Sequence, residues 1–142
     1  MRSIIENGRN IALMQAVITF FAIAFAHKIL AFAHMSYNQI SMFHFAVFGS
    51  YFHVLALFEL IVLSYFEFRR AALWIQAAFF VSNAIFTYIS LKAGFAYYGY
   101  GYFLSSLLTF VLATAALHHY VKDLPYFEFI ANNILHKRAE ME

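Results

Sequence analysis

The 142-residue chain is 64% apolar and only 11% charged, with a mean hydropathy of +0.71. A water-soluble domain carries about 25% charged residues, so this composition excludes one and makes lipid the expected solvent. A net charge of +2 and the absence of Cys exclude a nucleic-acid footprint and a disulfide framework.

Crossing a hydrocarbon core of roughly 30 Å takes about 20 apolar residues in a helix, and four stretches qualify. The first runs over 11–32, broken by Gln15, Thr19 and the His27-Lys28 pair. A cleaved signal peptide is the alternative for this stretch, with Ala24-Phe25-Ala26 or Ala31-Phe32-Ala33 as the processing site. The stretch exceeds the 7–15 residues typical of a signal core, which favours a span. An outer connection over about 33–41 leads to the second span, 42–66, interrupted by His44, His53 and Glu59. A tight turn at Glu67-Phe68-Arg69-Arg70 then joins it to the third span, 71–91. Helices this long, without alternation of period two, predict an all-α membrane protein: four transmembrane helices in one domain, arranged as an up-down bundle.

Along the third span Gln76, Asn83, Thr87 and Ser90 fall within about 60° of one another on a helix, a polar stripe facing away from lipid. Across a turn centred near Phe68, Glu59 lies level with Gln76, and His53 with Asn83. Ionisable groups inside a bilayer cost about 2.5–3.5 kcal/mol on insertion scales when charged. The set Glu59, His53, Gln76, Asn83 and Thr87 therefore reads either as a transport pathway or as interhelical glue worth about 0.6 kcal/mol per bond. Next comes a segment rich in Tyr and Gly containing Tyr97, Tyr98, Tyr100 and Tyr102. It suits an interfacial aromatic belt, or a vestibule that stacks on sugar rings. The fourth span, 98–117, carries Ser105, Thr109 and Ala113 at spacing four, a small-xxx-small pattern for close helix packing.

The tail, 118–142, reads as an amphipathic segment on the inner membrane surface, broken from the span at Pro125. Positive charge sets the orientation. Arg2, Arg9, Arg69, Arg70, Lys122, Lys137 and Arg138 fall on one side and only Lys28 and Lys92 on the other, which puts both termini in the cytoplasm. The histidines do not converge at one depth: His27, His34 and His44 lie near the outer end, His53 midway, His118 and His119 near the inner end. Neither haem nor a metal site is expected, although a haem- or metal-binding electron carrier stays an alternative. There is no phosphate loop, nucleophile elbow or zincin motif, so the chain does not read as an enzyme.

Four segments occur in an order that resembles a known family. They are Glu6-Asn7-Gly8 with Gln15, Tyr65-Phe66-Glu67-Phe68-Arg69-Arg70 with Ala71-Ala72, Tyr98-Gly99-Tyr100-Gly101-Tyr102, and Tyr126-Phe127-Glu128-Phe129-Ile130-Ala131-Asn132-Asn133. Together they look like the C-terminal third of the PelG family, integral inner-membrane transporters of the Pel exopolysaccharide system, similar to the multidrug/oligosaccharidyl-lipid/polysaccharide flippase superfamily. Glu67 stands where relatives are expected to have Asp. The resemblance implies export of a polysaccharide across the bacterial inner membrane, together with a Pel-type synthase and accessory proteins. It also implies that Met1 opens a fragment or split subunit, completed by the remaining helices of a longer transporter or by self-association. A small four-helix scaffold or accessory subunit is the alternative from another class.

Overall fold

A computed structural model describes the backbone over 2–34 and 39–139 and the side chains over 6–34 and 39–120. Every regular element among these residues is helical. Helices α1 (Arg2–Ala24), α2 (Ala26–Phe32), α3 (Ile40–Tyr65), α4 (Arg69–Ala93) and α5 (Tyr100–Ala139) follow in order, with one 3₁₀ turn at Phe95–Tyr97 before α5. Among the described residues three helices are long and apolar enough to cross a membrane: Ile40–Tyr65, Arg69–Ala93 and Phe95–Tyr120. The bent pair Glu6–Ala24 and Ala26–Phe32 makes a fourth only if the two count as one span.

That bend corrects the first expected element. The run over 11–32 is not one straight helix but two, turned through 66°. Backbone bonds carry across the break, from Phe25 N–H to the Phe21 carbonyl at 2.9 Å and from Ile29 N–H to the Phe25 carbonyl at 2.9 Å. Beyond the bend Ala26 and Leu30 are fully buried and α2 packs on α3. The Lys28 Nζ stays outside, 5.7 Å from the centre of the Phe25 ring. Burying two apolar side chains while leaving a cation at the surface gives the chain a reason to turn there without Pro or Gly.

At the α3–α4 turn the Phe68 N–H donates to the Leu63 carbonyl at 3.0 Å and the Glu67 N–H to the Ser64 carbonyl at 3.1 Å. This pair of bonds is a Schellman motif, and its left-handed position is held by Glu67, at φ 64°. Phe68 then packs back on a core of Leu60, Leu63, Ile75 and Ala113, the hydrophobic contact that accompanies the motif.

Helices α3 and α4 form an antiparallel hairpin, yet they touch each other far less than either touches α5. The last helix slots in beside both. It runs parallel to α3, with Phe45 against Tyr100 at 3.8 Å and Phe52 against Phe103 at 6.0 Å and Phe110 at 5.8 Å between ring centres. It runs antiparallel to α4, with Phe68 stacked on Tyr120 at 4.4 Å at one end. Near the other end a Cβ on Gly101 would sit 2.5 Å from the Thr87 backbone nitrogen, so the two backbones touch. Gly99, at φ 92°, turns the chain into α5 where a Cβ would lie 3.1 Å from the Met42 carbonyl oxygen. The first helix lies along α3 on the far side, antiparallel to it, with Gly8 against the Phe58 ring.

The backbone of α5 stays helical through Pro125 to Ala139, so the expected break before the tail does not occur. Proline removes one helical donor and crowds the carbonyl four residues back, yet the backbone stays helical past it. The amphipathic character expected of the tail, and residues 35–38 of the outer connection over 33–41, lie outside the described residues.

Candidate functional site

Of the polar side chains expected to meet across α3 and α4, Glu59 and Asn83 face hydroxyls of α5 instead. Thr114 Oγ1 donates to the Glu59 carboxylate, 2.9 Å from Oε1 and 3.1 Å from Oε2, and also lies 2.9 Å from the Phe110 carbonyl. Gln76 is exposed and lines a separate cavity with Arg69 and Ser64. The expected pairing of Glu59 with Gln76 is therefore replaced by Glu59 with Thr114. The cause is α5, which occupies the inside of the hairpin and presents its own hydroxyls to α3.

Asn83 likewise meets hydroxyls rather than His53. Asn83 Oδ1 accepts from Thr87 Oγ1 at 3.2 Å and lies 3.3 Å from Ser105 Oγ. Ser105 has one proton to give and two nearer acceptors, the carbonyls of Gly101 and Tyr102, each at 2.9 Å. Thr109 Oγ1 donates to the Ser105 carbonyl at 2.7 Å. Hydroxyls that bond back one turn satisfy themselves inside their own helix. They let Ser105 (0% exposed), Thr109 (1%) and Ala113 (0%) form the flat face on which α5 meets its neighbours.

His53 has no such partner. Its ring lies 4.6 Å from Phe79 and 6.1 Å from Tyr102 between centres, and its Nδ1 is buried without a hydrogen bond, as is the Ser106 hydroxyl on α5. A buried polar atom left unpaired costs about 1–3 kcal/mol, so these two groups are kept at a cost in stability.

The tyrosines divide. Tyr102 points between the helices at His53, while Tyr97 and Tyr100, 5.8 Å apart between ring centres, line a cavity of about 170 Å³ with Ser90 and Gly101. Tyr98 packs on Phe95 at 5.4 Å. Tyr97, Tyr98 and Tyr100 thus gather at the entry to α5, and Tyr102 belongs to the interhelical interior.

Two residues that sequence reasoning missed complete the constellation. Arg9, read as a flanking charge, lines a cavity of about 390 Å³ that also holds Glu59, with Gly8, Leu55, Phe58 and Phe110. Antiparallel packing of α1 on α3 brings this arginine to the level of the glutamate. Alternation of span direction makes α5 parallel to α3, but it does not set the offset of 55 positions that brings Thr114 to Glu59. Among the described residues no three His, Asp or Glu side chains come together as metal ligands.

A family model described as “PelG: Putative exopolysaccharide Exporter (EPS-E)” matches residues 1–129. No curated protein and no solved structure matches significantly.

Proposed function

The chain belongs to the PelG family of exopolysaccharide exporters, and from that membership we propose that it forms a helical lobe of a flippase-like transporter in the bacterial inner membrane. Both termini face the cytoplasm in this reading, supported by Arg2, Arg9, Arg69 and Arg70 at one end of the helices and Lys28 and Lys92 at the other. The lobe is completed by further helices of a longer exporter or by a second copy, and it works beside a Pel-type synthase and its accessory proteins.

The observation that carries the proposal is the Glu59 carboxylate, held by Thr114 and open to the cavity it shares with Arg9. A carboxylate within an apolar helix is expensive, and such groups mark substrate or ion pathways. Glu59 and Arg9 offer both signs of charge to the hydroxyl, amine or acid groups of a polysaccharide at the inner end. His53 and Ser106 have unused hydrogen-bonding capacity at mid-depth, and Asn83 and Thr87 brace α4 beside them. Tyr97, Tyr98 and Tyr100 present aromatic faces to sugar rings at the outer end.

The test is polymer export by cells that carry substitutions in the native protein. Glu59→Gln and His53→Ala are each expected to lower export about tenfold, corresponding to roughly 1.4 kcal/mol, at unchanged protein level in membranes. Full export by both variants overturns the pathway and leaves these residues as packing.

A further inference from the structure

Just beyond their turn, α3 and α4 splay apart on the side away from α5 and leave a second cavity of about 420 Å³. Its floor is Leu60 and its walls include the exposed faces of Ile61 and Leu73. Arg69 and Ser64 stand at the turn end, and Gln76 lies seven residues deeper, about 10 Å along the helix. The trough is thus apolar along its length, cationic at one end and carries an amide in between. Water-soluble anions have no use for the apolar walls, and a lipid whose own headgroup cation offsets its phosphate gains less from the arginine.

We propose that this cavity seats one anionic phospholipid of the leaflet that contains the α3–α4 turn. The Arg69 guanidinium meets the headgroup phosphate, the Gln76 amide the glycerol ester, and an acyl chain lies along Ile61 and Leu73. Basic pockets between membrane helices recognise anionic headgroups in this manner. Arg69 is also the first residue of a 25-residue helix, whose N-terminal dipole adds to the attraction for phosphate. The neighbouring Arg70 and the turn carboxylate Glu67 do not line the cavity, so the charge facing the trough is the single guanidinium. The site rests on the membrane reading of the helices and is independent of what the exporter carries.

The 142-residue chain, purified in mild detergent with added phosphatidylglycerol or phosphatidylcholine, is compared by native mass spectrometry with four variants. Phosphatidylglycerol is expected to remain bound where phosphatidylcholine dissociates. Arg69→Gln lowers its retention about fivefold, the effect of one basic residue near a membrane surface, and Arg69→Lys, which keeps the charge, restores most of it. Leu73→Trp fills the trough and displaces the lipid without altering charge, whereas Arg70→Gln has the smallest effect. Equal retention of the two lipids, equal losses in Arg69→Gln and Arg70→Gln, an unaffected Leu73→Trp protein, or displacement of the lipid by inorganic phosphate would each overturn the proposal. Every one of these outcomes leaves the export reading untouched, because neither Arg69 nor Leu73 belongs to the Glu59 constellation.

Discussion

The α4–α5 interface and the α1–α3 interface are made of opposite materials. Between α4 and α5 the contact is backbone to backbone at Gly101 and Thr87, continued by small residues whose hydroxyls are spent on their own helix. Between α1 and α3 aromatic rings surround open space, with Phe20, Phe48 and Phe52 around a cavity of about 340 Å³ and Phe58 beside the one of about 390 Å³ that holds Arg9 and Glu59. Close backbone approach fixes geometry because nothing in it can rotate away, while aromatic rings around a void can repack. The polar constellation thus has a rigid wall, α5, and a yielding one, α1.

That contrast breaks most readily at its rigid side. Gly101→Val drives a branched side chain into the α4 backbone and is expected to cost about 3 kcal/mol or more, at the upper end of overpacking effects, read as loss of the unfolding midpoint in detergent. The matching change on the yielding side, Gly8→Ala, places a Cβ 3.0 Å from the tip of the Phe58 ring. A movable ring should hold that cost below about 1 kcal/mol, the usual helix gain of Ala over Gly offsetting part of it. Equal costs at the two glycines would remove the distinction.

A smaller and opposite effect is expected at Glu67, an exposed residue of the turn. Glu67 occupies a left-handed position that costs a non-glycine residue about 1–2 kcal/mol, so Glu67→Gly should raise stability by about 1 kcal/mol in the same unfolding assay. The smallest change sharpens the α3–α5 contact: Thr114→Val removes the hydroxyl from Glu59 and should cost about 0.6 kcal/mol, the average for a hydrogen bond between membrane helices. A double-mutant cycle with Glu59→Gln isolates that pair, and a coupling of zero would show that the carboxylate does not depend on Thr114.

Much of this architecture is legible in the residues. Apolar runs of more than 20 residues announce α3, α4 and the start of α5, and the glycines at 99 and 101 announce a tight entry into the last helix. The bend at Phe25 is not legible, since neither Pro nor Gly marks it and its cause is the burial of Ala26 and Leu30 against α3. Nor is the partner of Glu59. Counting outward from a turn assumes that the two arms of a hairpin face each other, and that fails when a later helix fits better between them. The fit depends on one hydrogen atom at Gly101, a tertiary detail that periodicity does not encode. Residue types were therefore a good guide to which groups are polar and a poor guide to which groups meet.

The insertion of α5 also dictates an order of assembly. During synthesis the α3–α4 hairpin is made first, and until Tyr100–Tyr120 has followed, Glu59 lacks its threonine and Asn83 looks out at whatever surrounds the nascent chain. The hairpin is consequently an unfinished product with an exposed polar stripe, the kind of surface that membrane insertases and quality-control proteases act on. Chains interrupted between the turn and Tyr100 should be degraded rapidly, so that accumulation of this protein depends on α5 even though α3 and α4 are individually apolar enough to cross a membrane.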